Sequence, residues 1–249
     1  MAGDLAVHRA SGMTAHKVHL PDWAIERGRQ LNDFHEVDPA RTAFVAIDMQ
    51  NVFLAPGEVF GNPNALAITG TVNRLAAAFR AAGSPVVWTR QTVDHRPPRA
   101  MPDWQYDLSI PEVRAAVATM EAGTHSHALH ARMDVAPSDI VIDKYRYGAF
   151  SCPGGALEAV LEARDIDTIV IAGTLTNCCC DSTAREANMR GYRVFFLSDA
   201  TATRTDEEHN AALLTVRLMF ADVRTTEEML ALLAQATTAD GMSSLSHLG

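Results

Sequence analysis

Three adjacent cysteines, Cys178, Cys179 and Cys180, stand in the stretch TLTNCCCDST (174–183). The thiolate, not the thiol, attacks a carbonyl carbon. A nucleophilic sulfur therefore needs a positive neighbour, a helix start, or a base that takes its proton. Two residues elsewhere can meet those needs. Asp48 closes the apolar run TAFVAID (42–48), and Lys144 closes DIVIDK (139–144). A carboxylate beside a thiol can accept its proton and pass it to a leaving amine. An ammonium favours the thiolate, and the free N–H groups of a helix start favour both the thiolate and a tetrahedral oxyanion. Each residue also has a plain structural role open to it: a loop-capping aspartate, a solvated lysine, small thiols packed as hydrophobes. The shared position of all three at strand ends favours the chemical role.

A metal reading of the triplet is weak. Adjacent side chains alternate sides on extended chain and diverge by about 100° at a helix start. One ion cannot readily collect all three, and the C-x-x-C spacing of metal sites is absent. The segment HSHALH (125–130) places His125, His127 and His130 close in sequence, but no carboxylate motif accompanies them. No metal and no cofactor are expected. Neither GxGxxG after the first strand nor GxxxxGK[ST] occurs, so dinucleotide and P-loop chemistry lack their signatures.

The elements that must position these residues can be read from residue 42 onward. Short apolar runs at 42–48, 84–90, 139–144, 167–173, 192–200 and 221–226 read as six strands. Helical spacing fills 65–83, 111–120, 153–165, 180–191, 206–220 and 227–236, with Pro153 as a helix start and Gly83 and Gly191 as stops. Strands that are apolar throughout, separated by helices, imply an α/β fold: a doubly wound six-stranded parallel sheet with helices on both faces. In such sheets ligands bind beyond the carboxyl ends of the strands, where Asp48, Lys144 and the cysteines fall. Residues 1–40 differ. They are polar, carry His8, His16, His19 and His35, and contain one short helical stretch at 22–34. They read as an arm lying on its own domain or on a neighbouring subunit. The main domain is read as 41–237, and 238–249 reads as a flexible tail.

With 249 residues, 47% of them hydrophobic, the chain can bury one substantial core. A net charge of −9 argues against nucleic acid and anionic membranes as partners. Free thiols fit a reducing compartment. With no apolar leader and no run of about 18 apolar residues, a cytoplasmic location is expected.

Three blocks, AIDMQNVF (46–53), DKYRYGAF (143–150) and GTLTNCCCDSTAREANMRGYRVFFLSDA (173–200), resemble the motifs of the isochorismatase-like cysteine hydrolases over roughly residues 40–235. The resemblance implies a catalytic triad of Asp48, Lys144 and Cys179. Cys178 then fills a variable position, and Cys180 replaces a valine and packs against the sheet. It further implies a non-proline cis peptide at Thr174–Leu175 and an oxyanion hole from the N–H groups of Leu175 and Cys179. It implies a dimer or tetramer. A cysteine at position 179 favours amide hydrolysis with release of ammonia, through an acyl-enzyme, over the vinyl-ether cleavage of true isochorismatases. Nicotinamidases of the family carry an Asp-x-His…His metal set, of which TRQTVDHRPPR (89–99) holds only Asp94 and His95. VVWTRQ (86–91) with KYRYGAF resembles the ureidoacrylate-type amidohydrolases most, so the expected substrate is a small ureido or carbamoyl amide. Gln91, Tyr147, Phe53 and Asn51 are the expected substrate contacts. Trp104 or Tyr106, in the long segment 91–138, are candidates to line the pocket. A thiol-rich redox sensor or binding scaffold on the same fold is the non-enzymatic alternative.

Overall fold

The computed structural model describes residues 15–102 and 104–246, with 239–246 by backbone alone. Its centre is a six-stranded sheet in which every neighbouring pair is parallel. The strands are β1 (Thr42–Ile47), β2 (Val86–Gln91), β3 (Ile140–Lys144), β4 (Thr168–Thr174), β5 (Arg193–Ala202) and β6 (Asp222–Arg224), in the order β3-β2-β1-β4-β5-β6. The helices are α1 (Asp22–Arg29), α2 (Asn51–Leu54), α3 (Thr69–Ala81), α4 (Pro111–Ala118), α5 (Ala156–Glu162), α6 (Asp181–Met189), α7 (Asp206–Met219) and α8 (Thr226–Ser246).

Strand alternation explains the two cores. All six residues of β1 are buried. Phe44 and Ala46 face one layer with Leu75 and Phe79 of α3 and Met229 of α8. Ala43, Val45 and Ile47 face the other layer, with Leu157 of α5, Ala184 of α6 and Leu213 of α7. A parallel strand covered on both faces must be apolar at every position, which is why its sequence shows no period of two. The chain order reverses between β1 and β4, where a crevice opens at the carboxyl ends of the strands.

Several boundaries differ from the sequence reading. The helix expected from Pro153 begins at Ala156, because Gly154 and Gly155 adopt φ of 95° and 56°, outside the right-handed helical region. The helix expected at 65–83 opens as a 3₁₀ turn at Ala65–Ile68 before α3. The helix expected over 22–34 stops at Arg29. The expected tail past Thr237 is instead helical, since α8 continues to Ser246. Thr237 and Thr238, which read as a stop, turn their hydroxyls back onto Ala234 O at 3.0 and 3.1 Å. From Ala15 onward the arm lies on its own domain. Arg217 of α7 donates through Nη1 to Asn32 O at 3.1 Å while pairing with Asp222 at 2.6 Å, and Phe34 N donates to Asp222 Oδ2 at 3.0 Å. His8 lies outside the described residues. No described helix is long and apolar enough to cross a membrane.

One glycine governs the crevice. Gly173 pairs with Ile47 across β1 and β4 and has φ of 118°, and a Cβ there would lie 2.1 Å from Ile47 O. Backbone cannot move aside cheaply, so Gly173→Ala is expected to lose roughly 3 kcal/mol or more, from overpacking and a backbone conformation alanine resists. Thermal melting checks it: an unchanged midpoint would mean that β1 and β4 separate freely.

Candidate active site

Asp48 follows β1 directly, with φ of 50°, and its side chain is fully buried. Lys144 ends β3, and β2 lies between the two strands. The lysine's four-carbon stem spans that intervening strand, a separation only a long side chain can bridge. Lys144 Nζ donates to Gln91 Oε1 at 2.6 Å and to Arg146 O at 3.1 Å, and it pairs with Asp48 Oδ2 at 2.8 Å. Burial would push the Lys144 ammonium down, but Asp48 and the Cys179 sulfur more than offset it, and its pKa stands raised. Thr89 Oγ1 donates to Asp48 Oδ1 at 2.7 Å and accepts from Asp48 N at 3.2 Å. Asp48 Oδ2 contacts Lys144 at ion-pair distance but makes no well-directed hydrogen bond, which leaves one carboxylate lone pair uncommitted.

The cysteines open as a π-helical turn, Thr176–Cys180, that runs straight into α6. The Thr174–Leu175 peptide bond just before it is cis. Cys179 is buried yet borders a cavity of about 140 Å³, with Leu175 and Cys178 beside it on the same wall. Gln91 and Tyr147 form a second wall, and Phe53, Phe60, Val93, Met101 and Met120 supply most of the apolar lining. Tyr106 and Arg204 complete it. Asp48 and Lys144 lie outside this lining, buried behind it, but their charges reach the Cys179 sulfur. Bonding to Cys178 holds the Cys179 thiol well above its ordinary value, burial adds to this, and Lys144 pulls it down. The same bond lowers Cys178, against its burial. Cys180 faces the sheet among Ala184 and Ala187, and burial pushes its thiol up.

An isochorismatase domain model matches residues 42–228. The chain belongs to the isochorismatase family. It is 32% identical over 200 residues to a ureidoacrylate amidohydrolase of Methylobacterium radiotolerans, covering 74% of this chain and 76% of that one. It is 31% identical over 183 residues to nicotinamidase 3 of Arabidopsis thaliana, covering 72% and 82%. A cysteine hydrolase from Pseudomonas syringae superposes with a TM-score of 0.73 at 28% identity, over 83% of this chain and 98% of that one. This isochorismatase-family domain is thus a hydrolase whose relatives include amidohydrolases.

Within that domain, the expected contacts divide. Gln91, Tyr147 and Phe53 reach the cavity, as does Tyr106. Asn51 does not: its Nδ2 donates to His125 O at 2.8 Å, so it anchors the 125–130 segment to α2 instead of meeting a ligand. Trp104 is 84% exposed and does not line the cavity. Gln91 spends its Oε1 on Lys144, so only its Nε2 end is free to meet a ligand. The three histidines of HSHALH do not converge. His127 is buried against Thr92 Oγ1 at 2.8 Å, His125 is exposed, and His130 Nδ1 accepts from Arg132 N. Among the described residues no three His, Cys, Asp or Glu side chains gather as a metal site would need. His95 bonds Glu121 and Asp94 pairs with Arg96, both on the surface.

Three residues escaped the sequence reading. Thr89 orients Asp48 from the neighbouring strand. Gln50 is fully buried: its Oε1 accepts from Gln91 N at 2.7 Å, and its Nε2 donates to Gln91 O and His127 O. It thereby fixes the end of β2 next to Asp48. Arg204 follows β5 on the same edge of the sheet as Asp48 and Cys179, and the strand-end rule applied to TATRTD would have found it.

Proposed function

We propose that the chain is a cysteine amidohydrolase of small, linear, negatively charged amides of the ureido or carbamoyl type. The carrying observation is a cavity-wall thiol, Cys179, set before a buried Asp48–Lys144 pair whose charges it feels. A thiol held high needs a base, and Asp48 Oδ2 has a lone pair to spare. Asp48 takes the Cys179 proton as sulfur adds to the substrate carbonyl. The oxyanion rests on N–H groups of Leu175 and Cys179; the Leu175 N–H has no protein partner among the described residues. Collapse breaks the C–N bond, and the proton on Asp48 leaves with the nitrogen as ammonia. Asp48 then takes a proton from water as it attacks the thioester; the C–S bond breaks, the acid product leaves, and Asp48 returns the proton to the Cys179 sulfur. Lys144 holds Asp48 in place through its 2.8 Å ion pair. The similarity to a ureidoacrylate amidohydrolase and to a nicotinamidase supports the reaction class.

The cavity sets the substrate's size and sign. About 140 Å³ is the volume of roughly five waters, so the ligand is small. Arg204 is the one cation in the lining, and its guanidinium makes no ion pair among the described residues. A carboxylate on the substrate would complete it. Ammonia release from ureidoacrylate, N-carbamoylsarcosine, maleamate, biuret and nicotinamide tests the reading. Turnover is expected from an anionic member. Arg204→Ala should raise its KM by about 10-fold or more, the worth of a charged hydrogen bond, with a smaller effect on neutral biuret. Silence across the panel would sink the ureido and carbamoyl assignment.

A further inference from the structure

The arm sends one imidazole deep into the domain. His16 is 3% exposed and lies 190 residues before its partner Asp206. Its Nε2 is 3.1 Å from Thr203 N. A backbone N–H can only donate, so Nε2 carries the lone pair and Nδ1 carries the hydrogen, which points to Asp206 Oδ1 at 2.9 Å. The two contacts bracket Arg204. One holds the residue before it, and the other holds the first residue of α7. Asn64 secures the same turn from the opposite side, donating through Nδ2 to Thr203 O at 2.9 Å and Arg204 O at 3.1 Å.

The turn is joined in addition to the segment that carries the thiols. Thr203 Oγ1 donates to Asn177 Oδ1 at 2.7 Å. The His16 ring stacks on His209 of α7, with centroids 4.2 Å apart and planes 15° apart. His209 Nε2 donates to Ser198 O at 2.9 Å, so its Nδ1 accepts from Thr176 Oγ1 at 2.9 Å. Burial, with His16 beside it, pushes His209 down to about 4, so the His209 ring is neutral at pH 7.

We propose that His16 is a positioning residue: by pinning Thr203 and Asp206, it holds Arg204 at the cavity and so sets the positive charge offered to a ligand. The proposal rests on the reading of Arg204 as the group that meets that charge. Other ties keep the strap in place without the imidazole, since Lys17 N reaches Asp206 Oδ1 at 3.3 Å and Asn210 binds both His19 N and Lys17 O. A His16 substitution should therefore leave a folded protein.

The test needs no substrate. In the full-length protein, alkylation of Cys179 is followed by peptide mass with anionic iodoacetate and neutral iodoacetamide, and the ratio of the two rates reports the charge at the cavity. Arg204→Ala is expected to lower that ratio about 10-fold, as loss of one nearby charge would. His16→Ala should lower it by more than half of that effect on a logarithmic scale. His16→Gln, whose amide offers both an acceptor and a donor, should restore it. A His16→Ala ratio equal to wild type, beside a lowered Arg204→Ala ratio, overturns the proposal whatever happens to Tm. So does a ratio that His16→Gln fails to restore while Tm falls equally in both variants. An unchanged ratio in Arg204→Ala removes the charge reading of Arg204 and the proposal with it, and leaves the thiol mechanism standing.

Discussion

Cys179→Ala is expected to lower amide turnover by on the order of 10⁴-fold or more, as loss of a nucleophile does, whereas Cys178→Ala should cost less than about 10-fold. The two thiols border the same cavity, so position alone does not separate them. Their surroundings do. Cys179 is enclosed and sits beside Leu175, whose N–H is open to an oxyanion, and it starts as a thiol with a base behind it. Cys178 is half-exposed, and the bond with Cys179 favours it as the anion. Removing Cys178 also removes the largest influence raising Cys179. In Cys178→Ala, the pH at which Cys179 becomes reactive to iodoacetamide should therefore move down. Cys180→Val should be close to neutral, since that sulfur only fills space beside Ala184 and Ala187. Steady-state rates of the three variants on the best substrate of the panel decide it. Full activity in Cys179→Ala would assign the reaction to acid catalysis at Asp48, as vinyl-ether cleavage requires.

What could be read from the residues, and what could not, follows from where the information lies. The central strands β1 and β4 were legible because each is a nearly unbroken apolar run, as a parallel strand covered on both faces demands; the edge strands β3 and β6 carry that signal more weakly. Asp48, Lys144 and the cysteine triplet could be picked because they stand at strand ends on one edge of the sheet; the choice of Cys179 within the triplet came from the family resemblance alone. Their contacts were not legible. That Lys144 reaches Asp48 across β2 depends on strand order, and topology has no local signal. Thr89 touches Asp48 only because the ends of β1 and β2 lie side by side. Asn51 looked free beside Phe53, but its amide is taken by His125 O, 74 residues away. Pro153 read as a helix start, and the two glycines after it delayed the helix to Ala156. His16 sat in a polar arm with no periodicity, and Thr203 and Asp206, which it bonds, lie near the other end of the chain.

The second large effect concerns stability and chemistry together. Asp48→Asn should lose about 3–5 kcal/mol of folding stability, because a buried ammonium is left without its counter-charge, and should abolish turnover. Lys144→Met, which removes the other charge and fills the space with apolar stem, strands Asp48 in turn. The double variant leaves no charge unpaired, so it should be more stable than the sum of the single losses predicts, by about 2 kcal/mol or more. Denaturant unfolding of the four proteins closes this cycle, and strict additivity would mean that water or a rearranged side chain pairs each charge alone. The pH dependence has a fixed sign. The Lys144 pKa is raised in the folded state, so its contribution is complete below the ordinary lysine value of about 10.4 and is lost only as pH rises through the folded value. Between about pH 6 and about pH 9 Lys144 should therefore add no pH dependence of its own, and the gap between wild type and the double variant, which lacks both charges, should not shrink on its account. A gap that shrinks toward pH 9 would mean that the lysine loses its proton near neutrality. It would then be a base in its own right, and the proton that Asp48 is assigned to carry would have a second destination.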